Sequence, residues 1–193
     1  MNKFILLSLA GITGLLCSFG PSEADREASQ KKQAAHLSEH AMTLYSLGLL
    51  ERAKTDFAAV RMSLSQTVGP RNPATLSVRN NHAAVLFAMG DYAGAEAEHR
   101  STMNLRDSTL GRLDLESIAS RHNLAMTLMR EGKFQEAYVC ERCVESARRH
   151  LLGKNDPKSR QARRLRMLIE DAMKDGKPGS TPSGMGSSGI LPA

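Results

Sequence analysis

Tryptophan is absent from these 193 residues, and aromatic side chains make up only 4% of them. A single deep core would be hard to fill with so few large rings. Stacked helices packed through alanine, leucine and methionine need fewer, and the 10 methionines suit such adaptable packing. Cysteine is scarce as well: Cys17, Cys140 and Cys143 are too few for a disulfide framework to be read from them. There is no glycine-rich phosphate loop and no nucleophile elbow. No basic strand interleaved with aromatics occurs either, which argues against nucleic acid as a partner. The expected class is all-helical.

What is present is a repeat. Gly48, Gly90 and Gly132 are spaced by 42 residues, and so are Gly69, Gly111 and Gly153. On that register Leu50, Tyr92 and Phe134 align two residues past the first ladder, and Ala53, Ala95 and Ala137 five past it. Upstream, Ala41, Ala83 and Ala125 form a column, as do Leu44, Leu86 and Leu128. Each unit can bury its apolar face only against the next, so the product is an extended surface suited to binding rather than one catalytic pocket.

The period places the helices. Asn72-Pro73 and Asp156-Pro157 read as N-caps followed by a first-turn proline, with Asp114-Leu115 in the equivalent place. First helices are predicted near 28–47, 73–89, 115–131 and 157–174, and second helices near 50–67, 92–109 and 134–151, ending by ladder glycines. Three hairpins and a closing helix follow. That last helix mixes Leu165, Leu168 and Ile169 with several arginines, as a solenoid cap requires.

Ahead of the repeats, Lys3 precedes an apolar run from Phe4 to Phe19, then Ser22-Glu23-Ala24. This order predicts a secretory signal over residues 1–24, cleaved after Ala24, and hence export to a periplasmic or extracellular space. The run would extend roughly 24 Å as a helix, short for a membrane span, with an uncleaved anchor as the alternative. Residues 25–174 form the helical domain. Residues 175–193, dominated by glycine, serine and proline, are expected to be a flexible tail.

The units resemble tetratricopeptide repeats, in particular the 42-residue variety of kinesin light chains. The resemblance is carried by Asn123-Leu124-Ala125, Gly132-Lys133-Phe134, Glu136-Ala137 and the linker 152–157. An earlier copy reads Asn80-Asn81-His82-Ala83, Gly90-Asp91-Tyr92 and Ala95-Glu96. It covers about residues 30–174 and implies a right-handed superhelical stack of helical hairpins. It also implies a non-catalytic scaffold, without cofactor or metal, that holds a protein or peptide in the concave groove of its first helices. By the same resemblance an asparagine column, Asn81 and Asn123 with Asn80 and His122 one residue earlier, binds the peptide backbone. Helical spacing adds Ala84, Met126, Phe87 and Met129 as an apolar floor. The competing roles are bridging between helices for the asparagines and core packing for the apolar groups.

Arg79, Arg121 and Arg163 repeat the 42-residue step, so they either form a row of positive charge suited to an acidic peptide or pair with local carboxylates. Residues 142–166 hold nine basic residues against Glu145 and Asp156, a patch suited to an acidic protein or an anionic lipid surface, and to self-assembly. Two further motifs suggest chemistry. His36-Leu37-Ser38-Glu39-His40 fits H-x-x-E-H, which would make a small zinc hydrolase the remote alternative, although a third ligand is lacking. Cys140-Glu141-Arg142-Cys143 fits C-x-x-C but lies in mid-helix, where nothing lowers a thiol pKa.

Overall fold

A computed structural model describes residues 22–174. Its seven helices follow in order: α1 (Glu23–Ser46), α2 (Leu50–Thr67), α3 (Pro73–Ala88), α4 (Tyr92–Thr109), α5 (Leu115–Arg130), α6 (Phe134–Leu152) and α7 (Pro157–Lys174). No strand occurs among the described residues. Residues 1–21 of the expected signal segment 1–24 and the expected tail, 175–193, lie outside them, while Ser22, Glu23 and Ala24 cap and open α1.

Five of the seven helices start where a side chain satisfies free N–H groups, while α2 and α6 follow Leu49 and Lys133 with no side-chain cap. Asn72 accepts from the Ala74 N–H ahead of Pro73, Asp114 from Glu116, and Asp156 from Lys158. Helix α1 starts at Glu23, five residues earlier than the period predicts. A capping box explains it: the Ser22 hydroxyl accepts from the Asp25 N–H while the Asp25 carboxylate accepts from the Ser22 N–H. At the turns all six ladder glycines have positive φ, from 75° to 94°. A side chain would be strained there, so the glycine ladder records backbone geometry.

Packing is sequential, each helix against the next, which makes a helical repeat stack. The six aligned alanines, Ala41, Ala83, Ala125, Ala53, Ala95 and Ala137, are fully buried. They let the two helices of each hairpin approach closely. The N-terminal core is apolar, built on Leu44, Phe57, Val60, Leu64 and Val85. Farther along, Leu124, Leu128, Leu165 and Ile169 form a second core, and Ile118, Val144 and Ala162 a third.

Candidate functional site

First helices α1, α3, α5 and α7 present one surface, and the asparagines on it have separate fates. Asn123 Nδ2 donates to Asn80 Oδ1 at 3.0 Å, joining α5 to α3 with both residues buried. His122 Nδ1 donates to the Glu141 carboxylate, at 2.8 and 2.9 Å to its two oxygens, and both residues are buried. Asn80, His122 and Asn123 thus hold helices together, the bridging role weighed against peptide binding. The pairs satisfy one polar atom of each residue, while Asn80 Nδ2 and His122 Nε2 stay buried without partners and face no cavity that Asn81 lines.

Asn81 differs. It is only 9% exposed, and its Oδ1 is buried without a hydrogen-bond partner. It lines a cavity of about 480 Å3 between α1 and α3, with Ala34, Ala35 and Ser38 on one side and Ser77 and Val78 on the other. Lys31 stands at the same cavity, paired with Glu27. An unpaired amide beside an apolar wall is chemically matched to a peptide unit, which offers both an N–H and a carbonyl.

The expected row of arginines is mostly neutralised. Arg79 pairs with Glu98 of α4, and Arg121 pairs with Asp107. Only Arg163 remains exposed and free of an ion pair among the described residues. The row fails because Glu98 and Asp107 on α4 lie within reach of the guanidinium groups. Phe87 is covered as well: its ring meets Tyr92 edge to face, centroids 5.4 Å apart, and the Arg130 guanidinium lies 5.6 Å from its centroid. Met126 stays half-buried beside the second core, and Met129 is buried in it.

In the basic segment Arg148 is buried, and Arg166 pairs with Glu145 and Glu170. Arg160, Arg163 and Arg164 remain exposed on α7. His36, Glu39 and His40 are exposed, and His40 Nδ1 lies 2.8 Å from Asp56 Oδ2. Among the described residues no three ligand-type side chains converge on a metal position. Both C-x-x-C thiols are free in the middle of α6. Burial pushes the Cys140 thiol up to about 11, opposite to the shift that makes a reactive thiolate.

A family model described as tetratricopeptide repeat matches residues 74–147, from the first turn of α3 to the last third of α6. Over those residues the chain is similar to tetratricopeptide repeats. Among solved structures, BtubC (BKLC) from P. vanneervenii shares the fold with a TM-score of 0.70 at 15% sequence identity. The alignment covers 76% of this chain and 58% of that one, so the chain spans less than two thirds of that protein's length. No curated protein matches. Tetratricopeptide repeats generally mediate protein–protein interactions, and their fold is typically a non-catalytic scaffold.

Within these repeats the sequence reading passed over buried polar groups on the second helices. His99 and Glu141 are fully buried at the register position of Phe57, and Arg106 and Arg148 are buried at that of Leu64. Arg106 donates to the Glu116 carbonyl and to the hydroxyls of Ser120 and Ser77, and its guanidinium also pairs with the Glu116 carboxylate at 3.0 Å. Arg148 donates to the Lys158 carbonyl at 3.2 Å. Each arginine ties its hairpin to the opening turn of the next first helix. The signal was available, since the columns 57/99/141 and 64/106/148 are seven residues apart and keep one helix face.

Proposed function

We propose that the protein is a non-catalytic scaffold that binds an extended peptide of a partner protein at the cavity between α1 and α3, with Asn81 pairing to the peptide backbone. The observation that carries this reading is the buried, unpaired Asn81 Oδ1 at that cavity. Such an orphan costs free energy in the empty protein and is relieved by a donor from a ligand. An acidic peptide is the favoured partner. The chain's net charge of +6 supports this, as do Lys31 at the cavity and the exposed arginines of α7. Export is part of the proposal and rests on the charged, apolar and small-residue order of residues 1–24.

Affinity capture from the exported fraction of the native cell, with the full chain as bait, identifies the partner. Asn81→Ala should then weaken binding to that partner by about tenfold, with helix content by circular dichroism unchanged. Unaltered affinity in Asn81→Ala, together with loss in Arg160→Glu/Arg163→Glu, would move the site to the basic outer face of α7 and favour assembly through that end.

A further inference from the structure

Consecutive helices joined by short connections run antiparallel, so the three links from a second helix to the next first helix, 68–72, 110–114 and 153–156, fall on one edge of the stack. Register makes the middle link unusual. Leu113 stands where its counterparts are Arg71 and Asn155, and it is 64% exposed, with Leu110 and Leu115 exposed on either side. Three leucines therefore project from one turn into solvent. Leu113 also borders an open hollow shared with Arg142, Ala147 and His150 of α6.

Once internal pairs are removed, cations outnumber carboxylates on this edge, with Asp114 and Asp156 as the remaining anions. Arg71, Arg149 and Lys154 are exposed and have no ion-pair partner among the described residues. The Arg112 side chain is 80% exposed and comes no nearer than 3.5 Å to Asp107. The neighbouring carboxylates are occupied: Asp107 by Arg121, Glu116 by Arg106, and Asp114 and Asp156 by the N–H groups they cap. What remains is an excess of exposed cations, Arg71, Arg149 and Lys154 unpaired and Arg112 loosely paired with Asp107, around a protruding apolar tip.

We propose that this edge docks on an anionic lipid membrane, with Leu113 entering the acyl region and Arg71, Arg112, Arg149 and Lys154 contacting phosphate headgroups. A protruding leucine tip flanked by cations fits a planar, deformable, negatively charged surface. A folded protein partner would need a matching concavity. The Asn81 cavity borders this edge at Val68 and Asn72 of the first link, while Leu113, Arg112 and Lys154 lie on links that do not line it, so the two sites can be tested apart through those residues.

Sedimentation of the full chain with phosphatidylcholine vesicles, with and without phosphatidylglycerol, tests the idea. Binding should require phosphatidylglycerol and weaken as salt rises. Leu113→Ser should lower the partition coefficient about tenfold. Arg71→Glu/Lys154→Glu should lower it by at least about tenfold. Arg163→Glu/Arg164→Glu, exposed farther along α7 and beyond its opening turn, should change it by less than about twofold. The altered residues are solvent-exposed, and circular dichroism verifies the fold. Absence of sedimentation overturns the proposal, as does loss confined to the α7 variant. Equal binding to uncharged vesicles that ignores Leu113→Ser also overturns it, since residues 4–19 of the full chain would then be the attachment.

Discussion

The first hairpin and the two that follow share one backbone plan but differ in what they bury. In α2 the two inward positions seven residues apart are Phe57 and Leu64; in α4 they are His99 and Arg106, and in α6 Glu141 and Arg148. The alanine columns, by contrast, do not vary. Where helices within a hairpin touch most closely only a small side chain fits, so identity is fixed. Where a second helix meets the next hairpin, an apolar filler and a hydrogen-bonded polar group both work, provided the polar group is satisfied. The N-terminal hairpin is therefore held mainly by burial. The later hairpins add specific links, Arg106 to Glu116, Ser120 and Ser77, and His122 to Glu141.

The sharpest way to break this contrast is to orphan one member of a buried pair. His122→Leu leaves the Glu141 carboxyl buried without its donor and should destabilise the protein by about 3–5 kcal/mol in urea unfolding. His122→Leu/Glu141→Leu removes both polar groups and should recover most of that loss, because the site becomes like the apolar first hairpin. A double variant as unstable as the single one would mean that the pair is not a self-contained link.

Legibility in the sequence followed the same division. The period, the turn glycines, the seven helices and the tight alanine contacts could be read because each depends on local geometry repeated at a fixed step. Burial of Arg106 and Arg148 could not be read from residue type, since arginine on a helix usually faces water, and only their place in the column of Leu64 gives them away. The asparagine site was half legible. Asn80 and Asn123 are 43 residues apart, a diagonal contact that a 42-residue register does not indicate, and it consumes two of the expected peptide ligands. Asn81, one position from Asn80 on the same helix, escapes because its neighbours across the cavity are Ala34, Ala35 and Ser38 of α1.

Acid should separate the two regions next. His99 is fully buried, neither ring nitrogen has a partner, and burial, reinforced by Arg106, depresses its pKa to about 3. His82 shifts in the same direction, again chiefly by burial. A histidine with a folded pKa below its unfolded value near 6.5 binds protons more readily in the unfolded chain. Stability is therefore complete above pH 6.5 and falls progressively until the pH reaches about 3. His99 alone should remove about 2 kcal/mol by pH 5. Substituting the residue of the first hairpin, His99→Phe, should flatten urea-unfolding stability across that window while leaving a smaller slope from His82. Below about pH 4.5 Glu96 adds a loss of the same sign, because its folded pKa, near 2, lies under its ordinary value. An unchanged pH profile in His99→Phe would remove His99 as the source.

The smallest effects concern the arginine ladder, where the inner repeats are contrasted with the end of the stack. Arg121 is buried against Asp107, Arg79 is half-buried against Glu98, and Arg163 is exposed. Desolvated, hydrogen-bonded pairs lose more on truncation than solvated ones, because the partner carboxylate is left behind in a poorly hydrated place. Arg121→Ala should cost about 2 kcal/mol, Arg79→Ala about 1 kcal/mol, and Arg163→Ala less than about 0.5 kcal/mol. Three equal costs would show that position along the repeat, and not pairing with α4, determines what these residues contribute. The predicted gradient would leave Arg163 as the one rung whose charge is still available to a partner.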